Sequence, residues 1–393
     1  MHTRTTSELT SVATEMLRND HPRVTVVIPC LNEAENIEEC VRLAFEALQT
    51  GGLSGEVVVV DNGSEDASAE IAEAAGARVI PEPRRGYGNA YLTGFENARG
   101  DYLVMIDADL TYDFAEIPRF IQELDDGAEL VMGNRMEGVQ EGAMSLLSRL
   151  GNPLLSGFLN LVYRTKVTDA HCGMRALRRD VLPRLRLRST GMEFASEMVI
   201  RASRIGLRIH ELPIELRRRG GESKLHPFRD GWRHLRLMLV HSPNVLFIFP
   251  GLVMAFLGAV AMGLVFGNVT VLGRHFFIHT LIAGSMLAII GCQVVALGLC
   301  GRAYGVLHLG DPDPRFERAA ERLRLEHGLL LGAAVTFSGL ALAAWIVITW
   351  IDRGFGTLSE ERLALLAATL LIIGIQIFFT SFLISIIAMR DRR

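Results

Sequence analysis

Little in this chain of 393 residues points to disulfides, structural metal or secretion. Its five cysteines, Cys30, Cys40, Cys172, Cys292 and Cys300, form no CxxC pair, and two of them fall in a hydrophobic stretch. Neither a disulfide framework nor a zinc site is expected, and a reducing, cytosolic setting fits. Net charge is also scarce: a formal value of −4 excludes the strongly basic profile of a nucleic-acid binder. Residues 1–22 are polar and lack an apolar core of signal-peptide type, so they read as a flexible tail with nothing to direct the first domain across a membrane. The scattered His171, His210, His226, His234 and His241 have no metal-ligand spacing.

What is present divides the chain. In the first half, β-branched runs at 24–28, 56–60, 78–80, 102–106 and 129–132 alternate with helical patterns. That rhythm predicts a Rossmann-like, mostly parallel α/β sheet over residues 23–224. Asn32 and Glu35 read as the N-cap and capping-box partner of a helix that runs to about Leu48 and is closed by Gly51 and Gly52. From about Asn244 the composition changes, and apolar runs at 244–266, 276–300, 328–350 and 363–389 each reach the ~20 residues needed to cross a ~30 Å hydrocarbon core. An all-α membrane domain of four helices over 244–393 is expected. None of these runs holds Asp, Glu, Lys or Arg, which disfavours a transporter.

Lys and Arg are retained on the cytoplasmic side of a membrane. The connector between the second and third runs carries Arg302, Arg315, Arg318, Arg322 and Arg324, and the C-terminus carries Arg390, Arg392 and Arg393. The other two loops offer only Arg274, and Arg353 with Arg362. These charges predict a multi-pass protein, in a bacterial plasma membrane, with the α/β domain in the cytoplasm. Ahead of the first run, 225–243 mixes Phe228, Trp232, Leu235, Leu237 and Met238 with Arg229, Arg233, His234 and Arg236, the pattern of an amphipathic interfacial helix on anionic lipid. The leucine-rich segment 144–163 reads equally as a second such helix or as a core helix.

The chemistry concentrates at Asp107-Ala108-Asp109, directly after an apolar strand. Two carboxylates at a strand's carboxyl end lie where an open α/β sheet binds its ligand, and they suit a hard cation such as Mg²⁺ or Mn²⁺ bridging phosphate oxygens. Alone, the pair also reads as loop solvation or a helix cap. Its neighbours add weight. VVIPCLNEAENI over 26–37 places a strand-breaking Pro29 before Asn32 and Glu33, which suit base and ribose contacts, and VVVVDNGSEDAS over 57–68 ends a second strand at Asp61. The glycine-rich loop 85–89 precedes a helix whose N–H groups can meet an anion.

Together with Met132-Gly133-Asn134-Arg135, Asp169-Ala170-His171-Cys172-Gly173-Met174-Arg175 and Arg219-Gly220-Gly221-Glu222-Ser223-Lys224, this ordered set resembles the polyprenyl-phosphate sugar synthases of glycosyltransferase family 2, dolichyl-phosphate mannose and glucose synthases among them. The resemblance spans roughly residues 23–228 and implies a GT-A fold, a divalent metal, and inverting transfer of one sugar from a nucleotide-sugar donor of UDP-glucose or GDP-mannose type. The acceptor it implies is a polyprenyl phosphate lipid, and the product a β-linked sugar phosphate. By the same resemblance Pro29, Leu31, Glu33 and Asp61 hold the nucleoside, Gly88 and Ala108 line the nucleotide-sugar site, and Asp107 and Asp109 hold metal and diphosphate. Arg135 resembles the arginine that meets the acceptor phosphate, and Arg219 and Lys224 a basic loop closing over the phosphates. The chain departs from the family pattern at Asn62, where a second acid is usual, and at Thr111, where Gln often follows the metal motif.

A phosphate monoester with a second pKa near ~6 is already largely dianionic at neutral pH and needs little help from a general base. The cation, Arg135, Arg175, Arg219 and Lys224 are expected to screen the repulsion between two anions. Asp169 reads as orienting Arg175 or the acceptor, or as capping the turn before Cys172. Glu193 and Glu197 either face the sugar or form an acidic helix edge. A processive polysaccharide synthase would carry QxxRW before its helices, and Trp232-Arg233 lacks the Gln. Intact Asp107 and Asp109 disfavour a non-catalytic scaffold. A homo-oligomer is compatible with the sequence, which specifies no oligomeric state.

Overall fold

The computed structural model describes residues 21–136, 138–140, 144, 146–218, 227–270, 273–308, 313, 316, 318, 325–355 and 360–389. The chain falls into two compact units, Met1–Met238 and Leu239–Arg393.

The first unit is built on seven strands, β1 Val24–Cys30, β2 Gly55–Asp61, β3 Arg78–Pro81, β4 Tyr102–Met105, β5 Leu130–Asn134, β6 Arg175–Arg178 and β7 Ile209–Pro213. They lie in the order β3-β2-β1-β4-β6-β5-β7. The pairs β1–β2, β1–β4, β2–β3 and β5–β7 are parallel, and β6 runs antiparallel to both of its neighbours, β4 and β5. The helices are α1 Ile37–Thr50, α2 Ser68–Ala74, α3 Tyr87–Asn97, α4 Ile117–Asp125, α5 Leu146–Tyr163, the short α6 Leu182–Leu185, α7 Phe194–Arg204 and α8 Pro227–Val240. Alternate residues of β1 feed opposite layers: Val24, Val26 and Ile28 pack with Ile37 and Val41 of α1 and Phe120 of α4, while Val27 packs with Tyr91 and Phe95 of α3 and Phe194 and Met198 of α7. Burial on both faces is what makes the parallel strands read as continuous apolar runs.

Two local expectations are corrected. Asn32 is not a helix cap: it sits at φ 51°, its side-chain oxygen accepts from the Glu65 main-chain N–H at 2.7 Å, and α1 opens only after Asn36. Asn tolerates that left-handed backbone better than most residues. Pro29 does not break β1, which continues to Cys30 with Pro29 opposite Val60. Val27 accepts from the Ile106 N–H, so by alternation Pro29 faces the β4 side beyond Met105, where β4 has ended and no ladder donor is needed.

In the second unit a π-helical turn, Asn244–Ile248, leads into α9 Phe249–Phe266, followed by α10 Ile278–His308, α11 Leu325–Asp352 and α12 Glu361–Ala388. Four helical segments, Asn244–Phe266, Ile278–His308, Leu325–Asp352 and Glu361–Ala388, are long and apolar enough to cross a membrane, as the sequence predicts. The second runs past the expected end at residue 300. Glycines let backbones meet: a Cβ on Gly258 of α9 would lie 2.5 Å from Gly284 O of α10, and one on Gly374 of α12 2.5 Å from Thr336 N of α11. Small residues at such crossings are the usual device of helix packing in lipid. Gly258→Leu should therefore wedge α9 from α10 and cost about 1–3 kcal/mol. A thermal scan of the detergent-solubilised protein would register this as a lowered midpoint, and an unchanged midpoint would contradict the packing.

Candidate active site

Asp107 follows β4, and its Oδ1 accepts from the hydroxyls of Tyr87 at 3.0 Å and Tyr91 at 3.4 Å. Burial, and secondly the charge of Asp109, push the Asp107 carboxyl above its ordinary pKa, against those hydrogen bonds. Asp109 is buried, and its Oδ1 accepts from the Thr111 main-chain N–H at 3.1 Å and from Thr111 Oγ1 at 2.6 Å. The turn that allows this holds Leu110 at φ 59°, a conformation unusual for a branched side chain. Thr111 thus aims Asp109. Beside the pair, a Cβ on Gly173 would stand 2.4 Å from Asp107 Oδ2, so the glycine keeps that oxygen clear. No group of three or more His, Cys, Asp and Glu that could hold a metal forms among the described residues. Two hard carboxylates, one pushed toward its neutral form by burial and its neighbour's charge, fit a divalent ion that would take its remaining ligands from a diphosphate.

Arg135 lies just beyond β5 and grips Asp169 with a two-pronged fork, Nε to Oδ2 at 2.6 Å and Nη2 to Oδ1 at 2.9 Å. The Arg135 main-chain N–H adds a third contact to Oδ2 at 3.2 Å. Both residues are buried. Burial alone would raise the Asp169 pKa, but hydrogen bonds and charge from Arg135 outweigh it and hold the carboxyl below its ordinary value. The Tyr112 hydroxyl accepts from Arg135 Nη1 at 3.4 Å and from the Gly173 N–H at 2.8 Å, linking the fork to the loop beside Asp107. The structure therefore pairs Asp169 with Arg135, a partner the sequence reading did not consider. Asp169 also receives the His171 N–H at 3.3 Å, as the turn-capping alternative foresaw.

On the other flank, Pro29, Leu31, Glu33 and Asp61 stand partly exposed at the carboxyl ends of β1 and β2. Serines stitch the two loops together: Ser64 N–H to Asp61 Oδ1 at 3.0 Å, Asn32 N–H to Ser64 Oγ at 3.0 Å and Glu33 N–H to Ser68 Oγ at 2.9 Å.

Residues 25–186 match the model for glycosyl transferase family 2, and residues 299–388 match the glycosyltransferase family 2 C-terminal transmembrane region. A low-salt glycan biosynthesis hexosyltransferase of Haloferax volcanii is 42% identical over 366 residues, 92% of this chain and 88% of the relative. The chain belongs to glycosyltransferase family 2. A dolichyl-phosphate hexose transferase of the same organism is 37% identical over 45% of this chain and 76% of its own. An undecaprenyl-phosphate 4-deoxy-4-formamido-L-arabinose transferase of Edwardsiella ictaluri is 32% identical over 72% of this chain and 89% of its own.

Within this family 2 glycosyltransferase several expected site residues have other work. Arg175 is fully buried and donates to three main-chain carbonyls, Cys172 O at 2.9 Å, Ala195 O at 2.8 Å and Ala170 O at 2.8 Å. It satisfies the turn before β6 and ties it to α7, so it is not placed to screen phosphate as the sequence reading expected. Gly88 gives its N–H to Thr190 O at 3.0 Å, and a Cβ there would lie 2.1 Å from Ser189 O. The start of α3 is thus closed by protein and is not an open anion cradle. Ala108 is core. Glu197 accepts from the Arg188 and Ser189 N–H groups at 2.9 and 2.7 Å, the structural alternative, whereas Glu193 Oε2 is buried without a hydrogen-bond partner among the described residues. Arg219 and Lys224 lie outside the described residues. Sequence reasoning passed over Tyr87, Tyr91 and Tyr112, although Tyr87 interrupts the glycine-rich loop and Tyr112 follows the DxD by three residues.

The family departure at Asn62 has a local reason. Its side-chain amide donates to Glu82 O and Arg84 O, both at 2.9 Å, and its oxygen accepts from the Gly86 N–H at 2.7 Å. A carboxylate could not donate the first two. Asn62→Asp should therefore take the side-chain donor from Glu82 O and one of two from Arg84 O, which keeps the Asn89 amide at 3.1 Å, destabilise by about 1–3 kcal/mol and loosen the 84–86 loop, observable as a lower thermal midpoint with faster proteolysis there. Wild-type stability would refute that anchoring role.

A second expectation concerns Asp169. Its folded pKa lies below the unfolded one, so its stabilisation is complete above the unfolded value of ~3.9 and is lost as pH falls through the folded value. Asp169→Asn strands a buried guanidinium and should cost about 3–5 kcal/mol at pH 7 while flattening the acid limb of a stability–pH curve. A parallel acid limb would contradict the pairing.

Proposed function

We propose that this glycosyltransferase moves one sugar from a nucleotide-sugar donor onto a polyprenyl phosphate at the cytoplasmic face of a bacterial plasma membrane, with inversion to a β-linked sugar phosphate. The observation that carries the reading is that one loop, 169–173, touches both the Asp107 carboxylate region through Gly173 and the Arg135 fork through Asp169. This contact supports adjoining places for the donor diphosphate and the acceptor phosphate. Relatives that act on dolichyl and undecaprenyl phosphate support the acceptor class. The donor is of UDP-glucose or GDP-mannose type, its nucleoside held at Pro29, Leu31, Glu33 and Asp61.

Asp107 and Asp109 would hold Mg²⁺ or Mn²⁺, which when bound neutralises the charge of the departing diphosphate. The acceptor phosphate arrives as a dianion and needs no side chain to deprotonate it. Arg135, its far edge fixed by Asp169, meets that dianion, and Arg219 and Lys224 close over the phosphates. The chain also carries surfaces suited to lipid. On α5, Leu159 is buried, whereas Leu150 and Leu154 are each 75% exposed and Leu161 is 79% exposed, so the helix serves the core and an apolar outer stripe at once. On α8, Phe228 and Trp232 are exposed beside Arg229 and Arg236, a face for an anionic interface. The arginines of the second connector and the C-terminus favour the cytoplasmic orientation.

Purified protein supplied with a panel of nucleotide sugars and a polyprenyl phosphate should transfer one sugar from a single donor class. EDTA or Asp109→Ala should abolish transfer, and Arg135→Lys should lower turnover about tenfold or more, because lysine keeps the charge but not the fork. Full activity in EDTA would exclude the metal role. Failure of every donor with every polyprenyl phosphate would sink the reading itself.

A further inference from the structure

The chemistry above leaves His171, Ser196 and His234 without a task, although they come from three separate elements. His171 lies in the 169–173 loop, Ser196 in α7 and His234 in α8. Ser196 is fully buried, and its Oγ lies 2.8 Å from His234 Nδ1 and 3.3 Å from His171 Nε2. The two imidazoles meet edge to face with centroids 4.6 Å apart. Burial lowers both pKa values, His234 to about 4, so at neutral pH each ring is uncharged with one donor and one acceptor nitrogen. One hydroxyl proton then suffices: Ser196 donates to one ring and accepts from the other. His171 Nδ1 is buried and has no hydrogen-bond partner among the described residues, so the hydrogen-bonded hold on this ring runs through Ser196.

Two features set this chain apart from ordinary packing. It runs against Phe194, Met198, Val199 and Met238, where apolar side chains would avoid the cost of burying polar groups. Its ends also have distinct neighbours. His171 is two residues from Asp169 and gives it a main-chain hydrogen bond. His234 lies on the inner face of α8 with Asp230 and Met238, opposite the exposed Phe228, Arg229, Trp232 and Arg236.

We propose that the His171–Ser196–His234 chain is a positioning device that holds the Asp169–Arg135 fork in register with the seat of α8, so that the fork stands at the height where a lipid phosphate is presented. The inference rests on the functional reading above, in which Arg135 meets the acceptor and α8 lies on lipid. Ser196 acts through its neighbours and touches no substrate.

The test compares two acceptors with the full-length protein: a long-chain polyprenyl phosphate in phosphatidylglycerol–phosphatidylethanolamine vesicles, and a short-chain, water-soluble polyprenyl phosphate. Ser196→Ala should raise the acceptor KM on vesicles about fivefold, the scale of one hydrogen bond, while leaving kcat, the donor KM and kinetics on the short acceptor near wild type. His234→Leu should reproduce that loss. His234→Asn, which keeps a polar atom near the Nδ1 position, should restore most of it. An unchanged vesicle KM in both Ser196→Ala and His234→Leu overturns the proposal, as does an equal loss on both acceptors or a raised donor KM, either of which marks plain packing. If the wild type transfers to neither acceptor, the functional reading falls and takes this one with it. Wild-type transfer without a vesicle-specific loss removes the positioning role alone.

Discussion

A guanidinium and a carboxylate withdrawn together from water hold each other in place, because the loss of either leaves a charge that burial penalises heavily. The Arg135–Asp169 fork is such a pair, and its two halves come from different parts of the sheet: Arg135 from the end of β5, Asp169 from the approach to β6. They meet because β6 is reversed. A parallel strand between β4 and β5 would begin at the opposite edge of the sheet, whereas an antiparallel one begins where its neighbours end. The loop entering β6 is therefore delivered beside Asp107 on one side and Arg135 on the other, and a single strand inversion brings the carboxylate pair and the fork together.

Other polar side chains maintain that arrangement by occupying main-chain groups which loops would otherwise leave unmet. Arg175 holds the carbonyls of the turn before β6, Asn62 those of the 82–84 segment, and Glu197 the N–H groups of residues 188 and 189. Each resembles a ligand-binding residue in sequence, being a polar residue in or beside a motif. In space each is turned inward. A charged residue near a strand end is equally compatible with holding substrate or holding the loop that holds substrate, and only the third dimension separates the two.

Legibility followed the range of the interactions. Strands β1 to β5 and the four apolar helices depend on local period and length, so the strands were readable within a residue or two and the helices within about one turn, apart from the overrun of α10 and the π-helical turn ahead of α9. Strand β6 was not, because Arg175, buried at its first position, conceals the apolar alternation, and β7 lies at a sheet edge with His210 and Pro213 exposed. The position of Asp107 and Asp109 beyond the end of β4 was legible from the apolar strand before them. The partner of Asp169 was not, since the two residues stand 34 positions apart and the pairing exists only once β6 is reversed. Asn32 and Pro29 failed as punctuation for a related reason: both carry strong local preferences, and tertiary contacts chose the minority outcome.

The length of α10 has a mechanical meaning. Its 31 residues, at ~1.5 Å each, make a rod of about 46 Å, against a hydrocarbon layer of ~30 Å. At the carboxyl end of that rod, Arg302 pairs with Asp313 at 2.6 Å and lies 5.2 Å from the centroid of the Phe316 ring, so these two residues are fastened to the helix that precedes them. A stiff helix longer than the layer it crosses adapts by tilting or by lifting its polar end clear. About 16 Å of the rod exceeds the layer, and its last turns, with Arg302 among them, carry Asp313 and Phe316 on that excess.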